Sequence, residues 1–259
     1  MVCRDLKPVF EKLSRDFAIS RSSDIKTKQS STERFFVSPA SPTFNKSYAA
    51  FLFDMDGTIL NSTVAAERVW SKWAEAQGLD VAAFMPTMHG VRAIDTIRRL
   101  GLPGVDPEVE AAKITEDEIN DVEGVMALPG AAAFLESLPP EKWAIVTSSP
   151  LELAKRRLAA AGIPLPRTLV TAEDVKIGKP NPDCYLLGAR MLGVDASDCL
   201  VFEDAIAGIL AGDAAKADIM VITATHKHPV ETVHATLADY ENVTLQIDAA
   251  GRLLVIRNG

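Results

Sequence analysis

The chain has 259 residues, 47% hydrophobic and 24% charged, enough for one large domain or one domain with an insert. A formal net charge of −8 argues against a nucleic-acid partner, and no run of about 18 apolar residues is present to span a membrane. Cys3, Cys184 and Cys199 are too few and too widely spaced for a disulfide framework, which points to a reducing cytoplasm.

In chain order, the first 48 residues stand apart. They hold nine basic and five acidic side chains, a net of +4, together with nine serines. The 18 basic and 30 acidic residues of 49–259 give that stretch a net of −12. Residues 1–48 are expected to form a disordered or weakly helical leader. A transit peptide would be poorer in acids, and a secretory signal would carry an apolar segment. Organelle targeting stays open beside a cytoplasmic address.

From Ala49 the pattern changes. AAFLF (49–53) is a short apolar run suited to a buried parallel strand, and it leads straight into Asp54, Met55, Asp56, Gly57 and Thr58. Three stretches that follow read as helices: VAAERVWSKWAEAQG, GVRAIDTIRRLG and DPEVEAAKITEDEINDVE. Asp54 and Thr147 are 93 positions apart, more than a single crossover needs. Residues 63–128 are therefore expected to be an inserted helical cap, with 49–62 and 129–259 forming the core. Ordinary sheet-covering helices are the competing reading.

Beyond the insert, WAIVT (143–147), RTLV (167–170), CLVFED (199–204) and DIMVIT (218–223) read as strands. Helices such as PLELAKRRLAAAG and NPDCYLLGARMLG lie between them. This alternation predicts a doubly wound, parallel α/β sheet. VTLQIDAAGRLLVI (243–256) predicts a closing hairpin. His226-Lys227-His228 suits a solvated loop after a strand better than a metal site.

Ligands of open α/β sheets bind at the carboxyl ends of strands. Those ends carry Asp54 and Asp56, Thr147 and Ser148, and Glu203 and Asp204, with Lys179 following the third candidate strand of the sheet. Carboxylates gathered in one crevice repel each other and call for a cation, and oxygen ligands suit Mg²⁺. With Lys179 adding positive charge, such a crevice would accept a phosphoryl group. A carboxylate can serve as its nucleophile, and a second can protonate the leaving oxygen and then activate water. Each residue also has a plainer reading. Thr147 and Ser148 suit a helix start, Lys179 a surface, and Glu203 the orientation of its neighbours.

The set DMDGT, VTSS, GKPNP and VFEDAIAGI, across roughly residues 49–225, resembles the haloacid dehalogenase superfamily of phosphotransferases in order and spacing. The resemblance implies a Rossmann-like core, Asp54 as nucleophile and Asp56 as general acid/base. It also implies Thr147, Ser148 and Lys179 around the phosphoryl group. Mg²⁺ would be held by Asp54, the backbone carbonyl of Asp56 and Asp204, with support from Glu203. The insert after the first motif, with 32 positions from Thr147 to Lys179, resembles the helical-cap subclass. Asp56 sets the chain apart from the dehalogenases, and no insert segment clearly resembles the imine-forming one of phosphonate hydrolases. Ala66 stands where β-phosphoglucomutases carry a histidine, which counts against a sugar phosphomutase.

MHGVRAID (88–95) resembles the specificity loop of sugar- and polyol-phosphate phosphatases. That implies that His89 and Arg92 face the substrate. For Arg92 the rival reading is a helix start paired with a neighbouring acid. The expected activity is hydrolysis of a small sugar or polyol phosphate by a monomer or weak dimer. A receiver-like phospho-acceptor domain is the rival from a different class.

Overall fold

The computed structural model describes residue 44, residues 46–228 and residues 231–258. Its central strand, β1 (Ala50–Phe53), is buried at all four positions. Successive strand side chains point to opposite faces. Phe51 and Phe53 accordingly join one apolar cluster while Ala50 and Leu52 join another. A strand covered on both faces has no need of polar alternation, which is why AAFLF is apolar throughout.

After β1 the chain passes through β2 (Leu60–Asn61) and returns in β3 (Met126–Ala127), its antiparallel partner. Four helices lie between: α1 (Thr63–Ala76), α2 (Val81–Phe84), α3 (Ala93–Leu100) and α4 (Pro107–Asn120). They share a third apolar cluster that includes Trp70, Trp73, Phe84, Ile97 and Ile114. The start of α4 is written locally. Asp106 accepts the N–H groups of Glu108 and Val109, and Pro107 occupies the first turn, where a missing N–H costs nothing.

The remaining elements are α5 (Ala131–Glu136), β4 (Trp143–Val146), α6 (Leu151–Ala160), β5 (Leu169–Val170), α7 (Asp183–Met191), β6 (Cys199–Glu203), α8 (Ile206–Ala214), β7 (Asp218–Ile222) and β8 (Ala235–Leu237). The sheet order is β5-β4-β1-β6-β7-β8, with every neighbouring pair parallel. Strand order runs outward from β1 in both directions, so the topological switch lies at β1, flanked by β4 and β6. The doubly wound parallel sheet expected from the strand–helix rhythm is present.

The closing hairpin is present too, as β9 (Val243–Ile247) and β10 (Leu253–Arg257). It corrects one boundary. Leu253 exchanges two 2.8 Å backbone hydrogen bonds with Tyr48, which is fully buried, and Lys46 pairs with Asp218 at 2.9 Å. Residues 46–48 thus belong to the core and not to a leader; residues 1–43 and 45 lie outside the described residues. The strands β2, β3 and β8 were not legible, being two or three residues long. Among the described residues, Cys184 and Cys199 are buried free thiols, and no helix is long and apolar enough to cross a membrane.

Candidate active site

Two hydrogen-bond systems meet at the carboxyl ends of β1, β4 and β6. The first is centred on Lys179, which is 2% exposed. Its ammonium donates to Asp54 Oδ1 at 2.6 Å, Glu203 Oε1 at 2.7 Å and the Val146 carbonyl at 3.2 Å. An ammonium has three protons, and all three are committed. The plainer reading of Lys179 as a surface residue does not hold.

Glu203 is completely buried. Its Oε1 also accepts the Tyr185 hydroxyl at 2.9 Å, and its Oε2 accepts the N–H groups of Asp204 and Ala205, both at 2.9 Å. A Cβ on Gly208 in α8 would lie 1.5 Å from Oε1, so only glycine lets that helix approach. With four donors in place, Glu203 organises Lys179 and the turn after β6.

Asp54, Glu203 and Asp204 each bring a carboxylate oxygen within 4.8 Å of the others. Three carboxylates against one ammonium leave an excess of negative charge in a buried place. Burial pushes the Asp54 carboxyl up to about 8; Lys179 pulls it back, while Glu203 and Asp56 push it further. Burial, then the charges of Glu203 and Asp54, hold Asp204 well above the usual carboxylate range. Burial works against the charged form of Lys179, but Asp54 and Glu203 outweigh it and its pKa rises. Thr58 Oγ1 donates to Asp204 Oδ1 at 3.0 Å. This electron-rich, oxygen-only set fits a divalent cation.

The second system surrounds Asp56. Its Oδ1 accepts Ser62 Oγ at 2.6 Å and Arg157 Nη1 at 2.9 Å, and its Oδ2 accepts Ser149 Oγ at 3.0 Å. The Asp56 carboxylate therefore stands outside the Asp54–Glu203–Asp204 group. At the end of β4, Thr147 Oγ1 accepts the Ser149 N–H at 3.0 Å, closing a local turn. Ser148 Oγ donates to the Gly90 carbonyl at 3.0 Å, linking β4 to the segment before α3. Neither caps α6. That helix starts after Pro150 without a side-chain cap, and Glu173 takes the Leu151 N–H.

The profile of haloacid dehalogenase-like hydrolases matches residues 48–216, the stretch that holds every side chain just described. The chain belongs to this family. Hexitol phosphatase A of Escherichia coli is 40% identical over 210 residues, covering 79% of this chain and 97% of that protein. Glycerol-1-phosphate phosphohydrolase 2 of Saccharomyces cerevisiae is 35% identical over 187 residues, covering 68% of this chain and 75% of that one. Among solved structures, a hydrolase from Pseudomonas syringae is similar with a TM-score of 0.64 at 28% identity, covering 74% of this chain and 94% of that one.

In this haloacid dehalogenase-like hydrolase the two residues expected to read the substrate are placed differently. His89 is half-buried, with Nε2 3.8 Å from Glu67 Oε1. Burial lowers its pKa; Glu67 and Asp56 oppose that shift, and Lys227 and His226 reinforce it. His89 thus stands within the field of Asp56. Arg92 is turned elsewhere. Its Nε donates to Asp95 at 2.6 Å, Nη1 to the carbonyls of Val175 at 2.9 Å and Ala172 at 3.4 Å, and Nη2 to that of Lys176 at 3.0 Å. Four of the five guanidinium protons are spent on protein. The expectation of Arg92 as a substrate reader is corrected: it precedes α3, pairs with Asp95 and ties the insertion to residues 172–176.

Ser62, Ser149, Arg157 and Glu118 were missed. Two of them left a sequence signal. Arg157 falls on the apolar stripe Leu153, Ala154, Leu158 of α6, and Glu118 on the stripe Ala111, Ile114 of α4. A charge within a buried stripe needs a partner.

Proposed function

We propose that this hydrolase cleaves a small phosphorylated sugar or polyol through a phospho-Asp54 intermediate, with Mg²⁺ as its cation. The observation that carries the reading is the pair of separate carboxylate systems. Asp54 is clamped by Lys179 in the switch-point crevice, and Asp56, two residues on, is held by different partners. Asp54 Oδ attacks phosphorus, and the bond to the ester oxygen breaks while that oxygen takes a proton from Asp56. Asp56 then takes a proton from water, whose oxygen attacks phosphorus, breaking the Asp54–phosphorus bond and releasing orthophosphate. Lys179, beside Asp54, neutralises charge on the transferring group, with Thr147 and the backbone N–H of Ser148 at the end of the neighbouring strand.

Mg²⁺ would be held by Asp54, Asp204 and the backbone carbonyl of Asp56, and when bound it supplies positive charge to the phosphoryl oxygens. We read residues 63–128 as a cap over residues 49–62 and 129–259, because its helices carry an apolar cluster of their own. The substrate class follows the names of the relatives. Among the alternatives, a mutase is disfavoured by Ala66, and a receiver-like domain by the paired aspartates and the inserted helices.

A panel of phosphorylated sugars and polyols with Mg²⁺ tests this, run on the wild type and on Asp54→Asn. Turnover of at least one member, lost by several orders of magnitude in the variant, is expected. Near-normal turnover by Asp54→Asn would sink the covalent mechanism.

A further inference from the structure

Arg157 has no part in the reaction as set out above, yet its guanidinium is buried between acids from two distant parts of the chain. Nη1 reaches Asp56 Oδ1 at 2.9 Å and Ser149 Oγ at 3.3 Å, and Nη2 reaches Glu118 Oε1 at 2.9 Å. Arg157 lies on α6 and Glu118 on α4, 5% and 7% exposed. Well-packed apolar side chains would hold these two helices together at least as firmly as a buried ion pair. The charges therefore call for a reason beyond cohesion, and Asp56 supplies one. Its carboxylate is gripped from three directions: by Ser62 before α1, by Ser149 after β4, and by Arg157.

We propose that Arg157 is a positioning residue for Asp56, and that Glu118 makes this positioning depend on α4 being seated against α6. The proposal rests on reading Asp56 as the acid/base. A fork-shaped guanidinium bridging two carboxylates fixes direction as well as charge. When α4 sits in place, Glu118 holds one side of the fork and the other side aims Asp56 at the leaving oxygen. When α4 lifts, Arg157 loses an anchor and the proton donor loses its aim. Acid catalysis is thereby tied to the seating of α4 against α6.

The test compares kcat/KM for sorbitol phosphate, whose alkoxide must be protonated as it leaves, with that for para-nitrophenyl phosphate, whose nitrophenolate leaves without a proton. Arg157→Met is expected to lose about 10- to 100-fold on sorbitol phosphate and under about threefold on the aryl ester. For the aryl ester kcat and KM should fall together, because water activation still uses Asp56. Arg157→Lys should recover part of the loss by restoring the charge without the fork. Glu118→Gln, the milder change should Arg157→Met fail to fold, is expected to show a smaller loss of the same selectivity.

Equal losses on both substrates would mean that the triad serves only the fold, and would overturn the proposal. So would unchanged kcat/KM on sorbitol phosphate in either the Arg157 or the Glu118 variants. Asp56→Asn separates the two levels of inference. If that variant kept full activity on sorbitol phosphate, the acid/base reading itself would fall, and the role of Arg157 with it.

Discussion

Gly57 passes so close to Asp204 that a Cβ on it would lie 2.1 Å from Asp204 Oδ2. Its φ of +89° is also one that other residues adopt at a cost of about 1–2 kcal/mol. The glycine thus serves two ends, turning the chain between Asp56 and Thr58 and leaving Asp204 where it can face Asp54. Gly57→Ala should displace Asp204 more than it unfolds the protein. A loss of about 10- to 100-fold in apparent metal affinity is expected. Titration of turnover with Mg²⁺, beside a circular dichroism spectrum to confirm folding, measures it. Wild-type metal dependence in this variant would remove Asp204 from the metal site.

The raised Asp54 pKa has a consequence for stability. In the metal-free protein the folded state keeps a proton on this carboxyl that the unfolded chain releases near 3.8, so the folded state binds more protons between 3.8 and about 8. Stability then falls as pH rises through that window. Lys179 adds no slope there, since its raised pKa keeps it charged throughout. Denaturant unfolding in a chelator, from about pH 5 to pH 8, should show the decline, and excess Mg²⁺ should flatten it by favouring the deprotonated carboxylates. A metal-free stability that rises over this range would contradict the electrostatics of the cluster.

Arg92 is expected to behave as an anchor. Arg92→Ala removes charge-assisted hydrogen bonds to Asp95 and to the carbonyls of Val175 and Lys176, at a cost of about 1.5–3 kcal/mol of stability. Calorimetry should show a lower Tm, and sugar and aryl phosphates should lose kcat/KM to a similar degree. A loss confined to the sugar phosphate, at unchanged Tm, would restore Arg92 as a substrate reader.

Tyr48 sets how far the N-terminus can be shortened. A chain beginning at residue 44 should keep wild-type turnover, because no site residue lies before Asp54. A chain beginning at residue 49 loses both backbone bonds to Leu253 and the buried Tyr48 ring, at a cost of about 3 kcal/mol or more. Thermal melts of the two truncations check this; equal Tm values would show that the hairpin holds without Tyr48.

Residue type and local order determined the fold class and the residues of the crevice. Fully apolar strands separated by amphipathic helices admit few arrangements other than a parallel sheet, and such a sheet gathers its strand ends in one place. Asp54, Asp56, Thr147, Lys179 and Asp204 were legible on those grounds. Tyr48 was not, because one aromatic after a serine-rich basic stretch has no periodicity; its place depends on Leu253, some two hundred residues on. The work each side chain does was likewise open. Glu203 reads as one more acid until four donors are seen to fill it, and Arg92 as a free cation until residues 172–176 pack against it. Arg157 and Glu118 each interrupt an apolar helix stripe in sequence, but nothing there pairs the two. Only the packing of α4 on α6 makes them a bridge to Asp56. The reason is common to all of these. A hydrogen bond between distant residues depends on where two elements dock, and neither element's sequence carries that distance by itself.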